Sequence, residues 1–450
     1  MKKVFITIAC TSLLALTISL QPVTAKVSAE QAQQLGKTLT PLGAEVAGNE
    51  DGSIPAWTGG IQQIPQDYVP GEHHKDPFAG EQPTLVINRD NVAQHSDRLS
   101  AGQVAMIQQY PDYHITVYPT HRTASFPKKV YDYSIQNSTR AELTQDGAGL
   151  NNAKVGAPFP IPNNGLEAIW NHLTRYRGEY ITREYIQVTP QVDGSYTPVK
   201  FEQESLQYYA QENPEKDNLL FLYKQRITAP SNLAGQVLLV HETSNQVEDP
   251  RRAWRYDPGR RRATRTPTVA YDAPALASDG LSTVDNFDMF SGSPDKYNWE
   301  LKGKKEVYVP YNAYQLHSEQ LNYDDIIRPG HINQDYARYE LHRVWVVEAT
   351  LKETETNIYS RRTFYLDEDS WQALLVDHYD KSGELWRVAE AHAINYYEVP
   401  VLWSTLDVLH DLKNKRYIAF GLDNNESMYD FATQLTYNGF TASALRREGR

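Results

Sequence analysis

The chain has little cysteine: one residue, Cys10, in 450. It lies in an apolar stretch at the N-terminus, and removal of that stretch leaves no thiol at all. Disulfides, cysteine nucleophiles, iron–sulfur clusters and cysteine-type zinc sites are then excluded. Stability must come from burial, and about 425 remaining residues are enough for a large core. Long hydrophobic runs are equally scarce. Residues 4–20 follow Lys2 and Lys3, are mostly apolar, and lead into Gln21-Pro22-Val23-Thr24-Ala25. This is the layout of a cleaved signal peptide spanning residues 1–25. A membrane anchor is the weaker reading, because the run is shorter than the ~20 residues a bilayer needs and carries hydroxyls. Cleavage before Cys10 would leave almost no apolar region, which argues against a lipoprotein. The expected destination is the periplasm, with association to the outer membrane open.

Positive charge is also short. The chain has 44 Lys and Arg against 56 Asp and Glu, a net charge of −12. Loss of Lys2 and Lys3 leaves 42 against 56, or −14. Nucleic acid is not expected as a partner of such a surface. Catalytic signatures are missing too: no G-x-S-x-G elbow, P-loop, dinucleotide glycine fingerprint or H-E-x-x-H. The chain therefore reads as a non-enzyme without cofactor or metal. His73-His74, in a Gly/Pro/Lys loop, is expected to be solvent-exposed rather than metal-bound. Asp285-Asn286-Phe287-Asp288 and Asp423-Asn424-Asn425-Glu426 lack EF-hand spacing and read as turns. His241 and Glu242, adjacent in a strand, point to opposite faces and do not share a site.

What the chain has in quantity is tyrosine, 30 residues, with eight tryptophans, and both favour strands. Residues 26–125 are rich in Gly and Pro. They read as an irregular segment packed on the body, since Ile54 and Trp57 would be wasted on a free tail. One or two helices fall within 91–110. Residues 126–450 read as a single antiparallel-sheet domain with a C-terminal extension. Leu166, Ile169, Trp170 and Leu173 form one apolar stripe, the clearest helix. Strands are expected over 180–189, 195–202, 218–228, 236–243, 253–256 and 261–265. A run of four follows over 338–351, 357–366, 371–380 and 384–397. Asp193-Gly194 and Asp257-Pro258-Gly259 are turns, and such short links make neighbours antiparallel. The fold class is mainly β (α+β): a large curved antiparallel sheet, with helices over its concave face and either a filled core or a ligand cavity between the layers.

In 339–350, Tyr339, Leu341, Arg343, Trp345, Val347 and Ala349 alternate onto one face. Arg343 is out of place there and needs an anionic partner, either an internal carboxylate such as Glu390 or the polar end of a ligand. Arg251, Arg252, Arg255, Arg260, Arg261, Arg262 and Arg265 make a basic patch on an acidic chain. It is either a solvated hairpin rim or a docking surface, with Arg260, Arg261 and Arg262 as the docking candidates.

Several segments together resemble the DUF1329 family. They are Thr40-Pro41-Leu42-Gly43-Ala44-Glu45 through Pro55-Ala56-Trp57-Thr58-Gly59-Gly60, and Pro158-Phe159-Pro160-Ile161-Pro162 with Trp170-Asn171-His172-Leu173. Leu233-Ala234-Gly235, Tyr256-Asp257-Pro258-Gly259-Arg260-Arg261, Val309-Pro310-Tyr311-Asn312 and Arg338-Tyr339-Glu340-Leu341-His342-Arg343-Val344-Trp345 complete the set. Such proteins are grouped with the LolA/LolB lipoprotein carriers and labelled outer-membrane lipoprotein-sorting-like. The resemblance implies an open half-barrel with helices over an apolar cavity. It also implies work beside an envelope exporter or an outer-membrane protein. The N-terminal extension is expected to fill or cover that cavity. The expected function is a periplasmic carrier or chaperone for a hydrophobic small molecule, lipid or lipoprotein acyl chain. The alternative is a non-enzymatic structural partner of an export complex. Trp170, Tyr339, Arg343, Trp345, Trp371 and Trp386 are the expected ligand-lining residues.

Overall fold

The computed structural model describes residues 27–216, 218–266 and 271–448. The signal peptide and Cys10 lie outside these residues. The strands, in chain order, are β1 (Leu85–Ile87), β2 (Ile115–Val117), β3 (Glu142–Leu143), β4 (Leu150–Asn151), β5 (Tyr180–Val188), β6 (Val199–Gln207), β7 (Leu219–Ala229), β8 (Val237–Thr243), β9 (Arg252–Asp257), β10 (Arg262–Arg265), β11 (Tyr297–Pro310), β12 (Tyr339–Leu351), β13 (Arg361–Asp367), β14 (Ala373–Tyr379), β15 (Leu385–Tyr396), β16 (Val401–Asp411) and β17 (Arg416–Leu422). The helices are α1 (Ala29–Ala32), α2 (Val92–His95), α3 (Ala101–Gln109), α4 (Lys128–Arg140), α5 (Gly165–Thr174), α6 (Tyr323–Ile326) and α7 (Ala442–Glu448).

Fifteen of these strands form one sheet in the order β1-β2-β12-β13-β14-β15-β16-β17-β5-β6-β7-β8-β9-β10, with β11 also on β12. The described residues do not close it into a barrel. The sheet consists of two meanders, β11 to β17 and β5 to β10. Within each, successive strands pair antiparallel; from β12 to β17 and from β5 to β10 their links are too short for a crossover, while β11 reaches β12 through the longer stretch 311–338. The two meanders meet where β17 pairs β5 through Ala419↔Val188, Phe420↔Gln187 and Leu422↔Ile186, with an irregularity between Phe420 and Leu422.

Both faces of the sheet are covered. Val347, Phe364, Val376, Ala389 and Leu409 stand directly opposite one another across five strands, so they share one face. Residues 271–291 lie over this face, with α5 beside them: Phe290 packs edge-on against Phe364. Asn164 caps α5 by accepting from the Glu167 N–H, at 2.9 Å. The opposite face carries Leu375, Glu390 and Val408. There α3 lies against β14 and β15, with the Gly102 N–H donating to Asp377 at 3.1 Å and the Tyr113 hydroxyl to Glu390. The N-terminal segment, expected to fill or cover a cavity, contributes no residue to the cavity described below and is fastened elsewhere on the sheet. Its residues 42–47 reach the end of the first face, while α3 and Tyr113 cover the second. Leu42, Ile54, Met106 and Ile115 all join the main core.

Seven strands were not anticipated: the short β1 to β4, of which β1 and β2 lie in the segment expected to be irregular, and the longer β11, β16 and β17. β16 is buried along almost its whole length. With both faces covered it shows no polar–apolar alternation, which is the signal a half-buried strand would give. β11 pairs only with β12 and is an edge strand. Its Lys302, Lys304 and Lys305 disguise it as a loop.

Candidate ligand cavity

Residues 271–291 pair with themselves. The Asp285 N–H donates to Tyr271 O (3.0 Å), Val284 N–H to Ala273 O (2.8 Å) and Ala275 N–H to Ser282 O (3.0 Å). The ties from this cover to the sheet run through side chains. Gln187 Nε2 donates to Ala277 O (2.8 Å) and Arg387 Nη2 to Gly280 O (2.7 Å). Arg362 pairs with Asp285 at 2.5 Å and Arg416 with Asp279 at 2.6 Å. Tyr271, Ala277, Asp279, Asp288 and Met289 all have left-handed backbones, with φ between 52° and 67°. Each costs about 1–2 kcal/mol for a non-glycine residue, so the ties hold the cover in a strained shape.

Beneath the cover lies a cavity of about 110 Å³. Phe221, Tyr223, Leu409 and Phe420 wall it from the sheet, and Leu276, Phe287 and Met289 from the cover. It straddles the junction of the two meanders, since Gln187, Ile418 and Phe420 all border it. Typical small-molecule pockets run to roughly 300–1,000 Å³, so a larger guest requires the cover to move. A wider cleft of about 550 Å³ lies between residues 150–154 and 208–220. It mixes Arg140, Lys154 and Asn152 with Tyr208, as a wetted groove does. The smaller, apolar and covered space is the better ligand site.

The polar groups at the cavity wall are mostly matched. Glu242 pairs with Arg251. Asp288 is gripped by Arg175 and Arg177, and Trp403 Nε1 donates to it at 3.0 Å. Burial would raise the Asp288 carboxyl, but the two guanidiniums outweigh it and hold it well below the usual range. His172 on α5 donates through Nε2 to Asp288 O (3.0 Å) and accepts the Ala373 N–H on Nδ1 (3.1 Å). Burial pushes this imidazole down to about 3, so it stays neutral. The C-terminal end of α5 therefore locks the cover to β14. Asp407 is different: burial and the neighbouring Asp288 push its carboxyl up to about 7.

None of the six residues singled out from the sequence borders this cavity. Trp170 is buried, donates to Gly147 O (3.1 Å) and touches only an adjoining void of about 10 Å³. Tyr339 donates to Glu390 at 3.1 Å. Trp371 donates to Leu42 O at 3.0 Å and stacks on Trp345, with rings 6.1 Å apart. Trp386 donates to Asp411 at 3.0 Å. Arg343 pairs with Glu368 at 2.6 Å and donates to Ala47 O at 2.7 Å. The suggested partner Glu390 is already occupied by the Tyr113 and Tyr339 hydroxyls, whereas Glu368 follows β13 immediately and its N–H bonds back to Arg343 O. Large aromatics in the sequence thus mark where the flanking segments are fastened to the sheet. The signal for the true wall was the alternation of Phe221, Tyr223 and Gln225 along β7.

Other expectations also shift. His74 is buried, not exposed: it contacts Glu398 at 2.7 Å and His317 at 3.2 Å, and His317 in turn contacts Asp423 at 2.9 Å. Asp285 and Asp288 belong to the cover and are taken by arginines rather than facing solvent in a turn. Glu242 reaches the cavity while His241 bonds Phe440 O on the other side (2.7 Å), as their adjacency requires. Arg260 stands exposed beside Asp257 at 3.7 Å, Arg261 occupies the turn with φ 50°, and Arg262 opens the edge strand β10. One trio of metal-ligand type, His342, Asp367 and Asp369, converges within 4.8 Å. Arg122 holds both oxygens of Asp369 (2.7 and 2.8 Å) and Glu340 contacts His342 Nε2 (3.1 Å), so the trio belongs to the charge network that pins residues 45–55. No helix among the described residues is long and apolar enough to cross a membrane.

Comparison with known proteins places these features in a family. A protein of Pseudomonas aeruginosa described as uncharacterized protein PA3922 is 52% identical over 447 residues, 98% of each chain. A solved DUF1329 family protein from Desulfovibrio piger is 15% identical, with TM-score 0.43, over 60% of this chain and 92% of that one. The LolA superfamily protein NE2245 from Nitrosomonas europaea is 14% identical, with TM-score 0.37, over 60% and 93%. The family model described as "Protein of unknown function (DUF1329)" matches residues 86–446, and with that span the chain belongs to the DUF1329 family.

Proposed function

We propose that this protein is a periplasmic, non-enzymatic carrier or chaperone that shelters a hydrophobic ligand between its sheet and the cover at 271–291. The observation that carries this reading is an apolar cavity roofed by a strained segment whose ties to the sheet are side chains. A roof built this way can lift without unzipping the strands below. A twelve-carbon tail would gain roughly 0.8 kcal/mol per buried CH₂. That is about 10 kcal/mol gross, and it leaves micromolar-range affinity after ordering costs.

The test is titration of delipidated protein with a fluorescent fatty-acyl ester probe that carries no charge. Saturable binding is expected, with slower hydrogen exchange across 271–291 when the probe is bound. In Ala389→Phe, a side chain grown into the cavity from β15 should weaken binding at least about tenfold. Absence of saturable binding would overturn the carrier reading and leave the structural partner of an export complex as the alternative.

A further inference from the structure

We propose that the cavity selects an amphipathic amine, with the apolar body between sheet and cover and the protonated amino group against the carboxylate of Asp407. This rests on the carrier reading and adds the chemical class of the guest.

Three carboxyls border the cavity: Glu242, Asp288 and Asp407. Glu242 keeps one oxygen free, but its charge is met by Arg251. Asp288 has two guanidiniums. Asp407 has no ion pair among the described residues, and its Oδ1 has no hydrogen-bond partner there. The two nearest cations are committed elsewhere. Arg175 serves Asp288 and Gln372, and Arg183 serves Gln203 and the Tyr429 hydroxyl. Cross-strand, Asp407 stands between Ala391 and Phe420, and the Ser404 hydroxyl hydrogen-bonds its carboxyl without supplying charge.

A carboxyl in such a setting costs stability unless something compensates it. Asp407 is half-buried and borders the cavity, with its unpartnered Oδ1 shut in among protein atoms. Its raised pKa means that the empty protein carries this group partly protonated at neutral pH. An arriving ammonium supplies both the missing charge and the missing donor. Rotation about the Cβ–Cγ bond of Asp407 brings either oxygen to it. The same wall disfavours a fatty acid, whose carboxylate would meet Asp407 with like charge.

The experiment compares dodecylamine, dodecanol and dodecanoate on delipidated full-length protein, each below its micelle-forming concentration, by isothermal titration calorimetry at mildly alkaline pH. Dodecylamine is expected to bind at least about tenfold tighter than dodecanol, since a charge-assisted hydrogen bond is worth more than a neutral one. Dodecanoate should be the weakest. In Asp407→Asn, dodecanol binding should persist while the amine preference drops below about threefold. Dodecanol binding without an amine preference, or a preference that survives in Asp407→Asn, would overturn this inference and leave the carrier reading intact. Failure of all three probes would overturn both.

Discussion

Glu390 on β15 is fully buried and receives the hydroxyls of Tyr113 and Tyr339, at 3.1 Å each. Burial still dominates and pushes its carboxyl up to about 7. A folded-state value above the unfolded one means that the folded form holds a proton which the unfolded form releases. Stability is therefore lost as pH rises from about 4.5 to 7. A rise of this size corresponds to about 3 kcal/mol. Glu390→Gln should then be more stable than the parent by about that amount at pH 8 and equal to it near pH 4, as urea unfolding at the two pH values would reveal. Arg343 is the opposite case. Its removal strips Glu368 of its closest cation and frees Ala47 O, while Glu45 O keeps only the Arg122 guanidinium. Arg343→Met should cost about 3 kcal/mol in the same assay. The sequence shows that Arg343 needs an anion, because an arginine alternates there with apolar residues. It does not show which anion, because Glu368 is supplied by a turn whose position depends on strand register. His74 was misread for the same reason: its partners Glu398 and His317 come from more than 240 residues away.

At the scale of elements, two outer strands of the sheet, β11 and β10, are guarded by charge. β11 presents Lys302, Lys304 and Lys305, and β10 presents Arg262 and Arg265, both exposed. Unpaired strand edges template association, and charged side chains block it. Replacing Arg262 and Arg265 together with valine should leave the fold intact and produce concentration-dependent association, visible by light scattering. If Arg260, Arg261 and Arg262 also dock a partner, reversing them to glutamate should abolish that contact without promoting aggregation. Strands whose burial alternates, as in β5, and strands joined by short polar links, as β14 and β15 are, were legible in the sequence. Strands buried on both faces, such as β16, and the charged edge β11 were not. The cover was legible least of all. It has no period, and its shape is set by arginines reaching up from β13, β15 and β17.

For the whole molecule, buried ionisable groups pull in two directions. Asp367, Asp377, Glu390 and Asp407 have raised carboxyls, to between about 6 and 7, chiefly through burial. Each favours the fold less as pH rises from 4 towards 7. His172, His392 and His410 are pushed down to about 3 by burial, and His378 is lowered too. Each favours the fold more as pH rises towards 6.5, because only the unfolded state takes up the proton. With four groups on each side, the slopes oppose one another. Thermal unfolding should vary little between about pH 4.5 and 6.5 and fall steeply below about pH 4, where the histidines act unopposed and the lowered carboxyls of Asp288 and Glu340 add to the loss. A monotonic slope across the plateau would contradict this balance.

The junction of β17 with β5 gives this architecture a crease. Each meander is built of strands that follow one another in the chain, while the join between them rests on three pairs of β17 with β5 and on the Thr182–Asp430 bridge, all more than 200 positions apart. Contacts so distant in sequence close late and break early. The cavity lies directly over that join, roofed by a segment from the stretch between the meanders. Flexing along the crease would change the floor area of the cavity even with every tie to the roof in place. The guest would then be sensed by the angle between two half-sheets as well as by the fit of a lid.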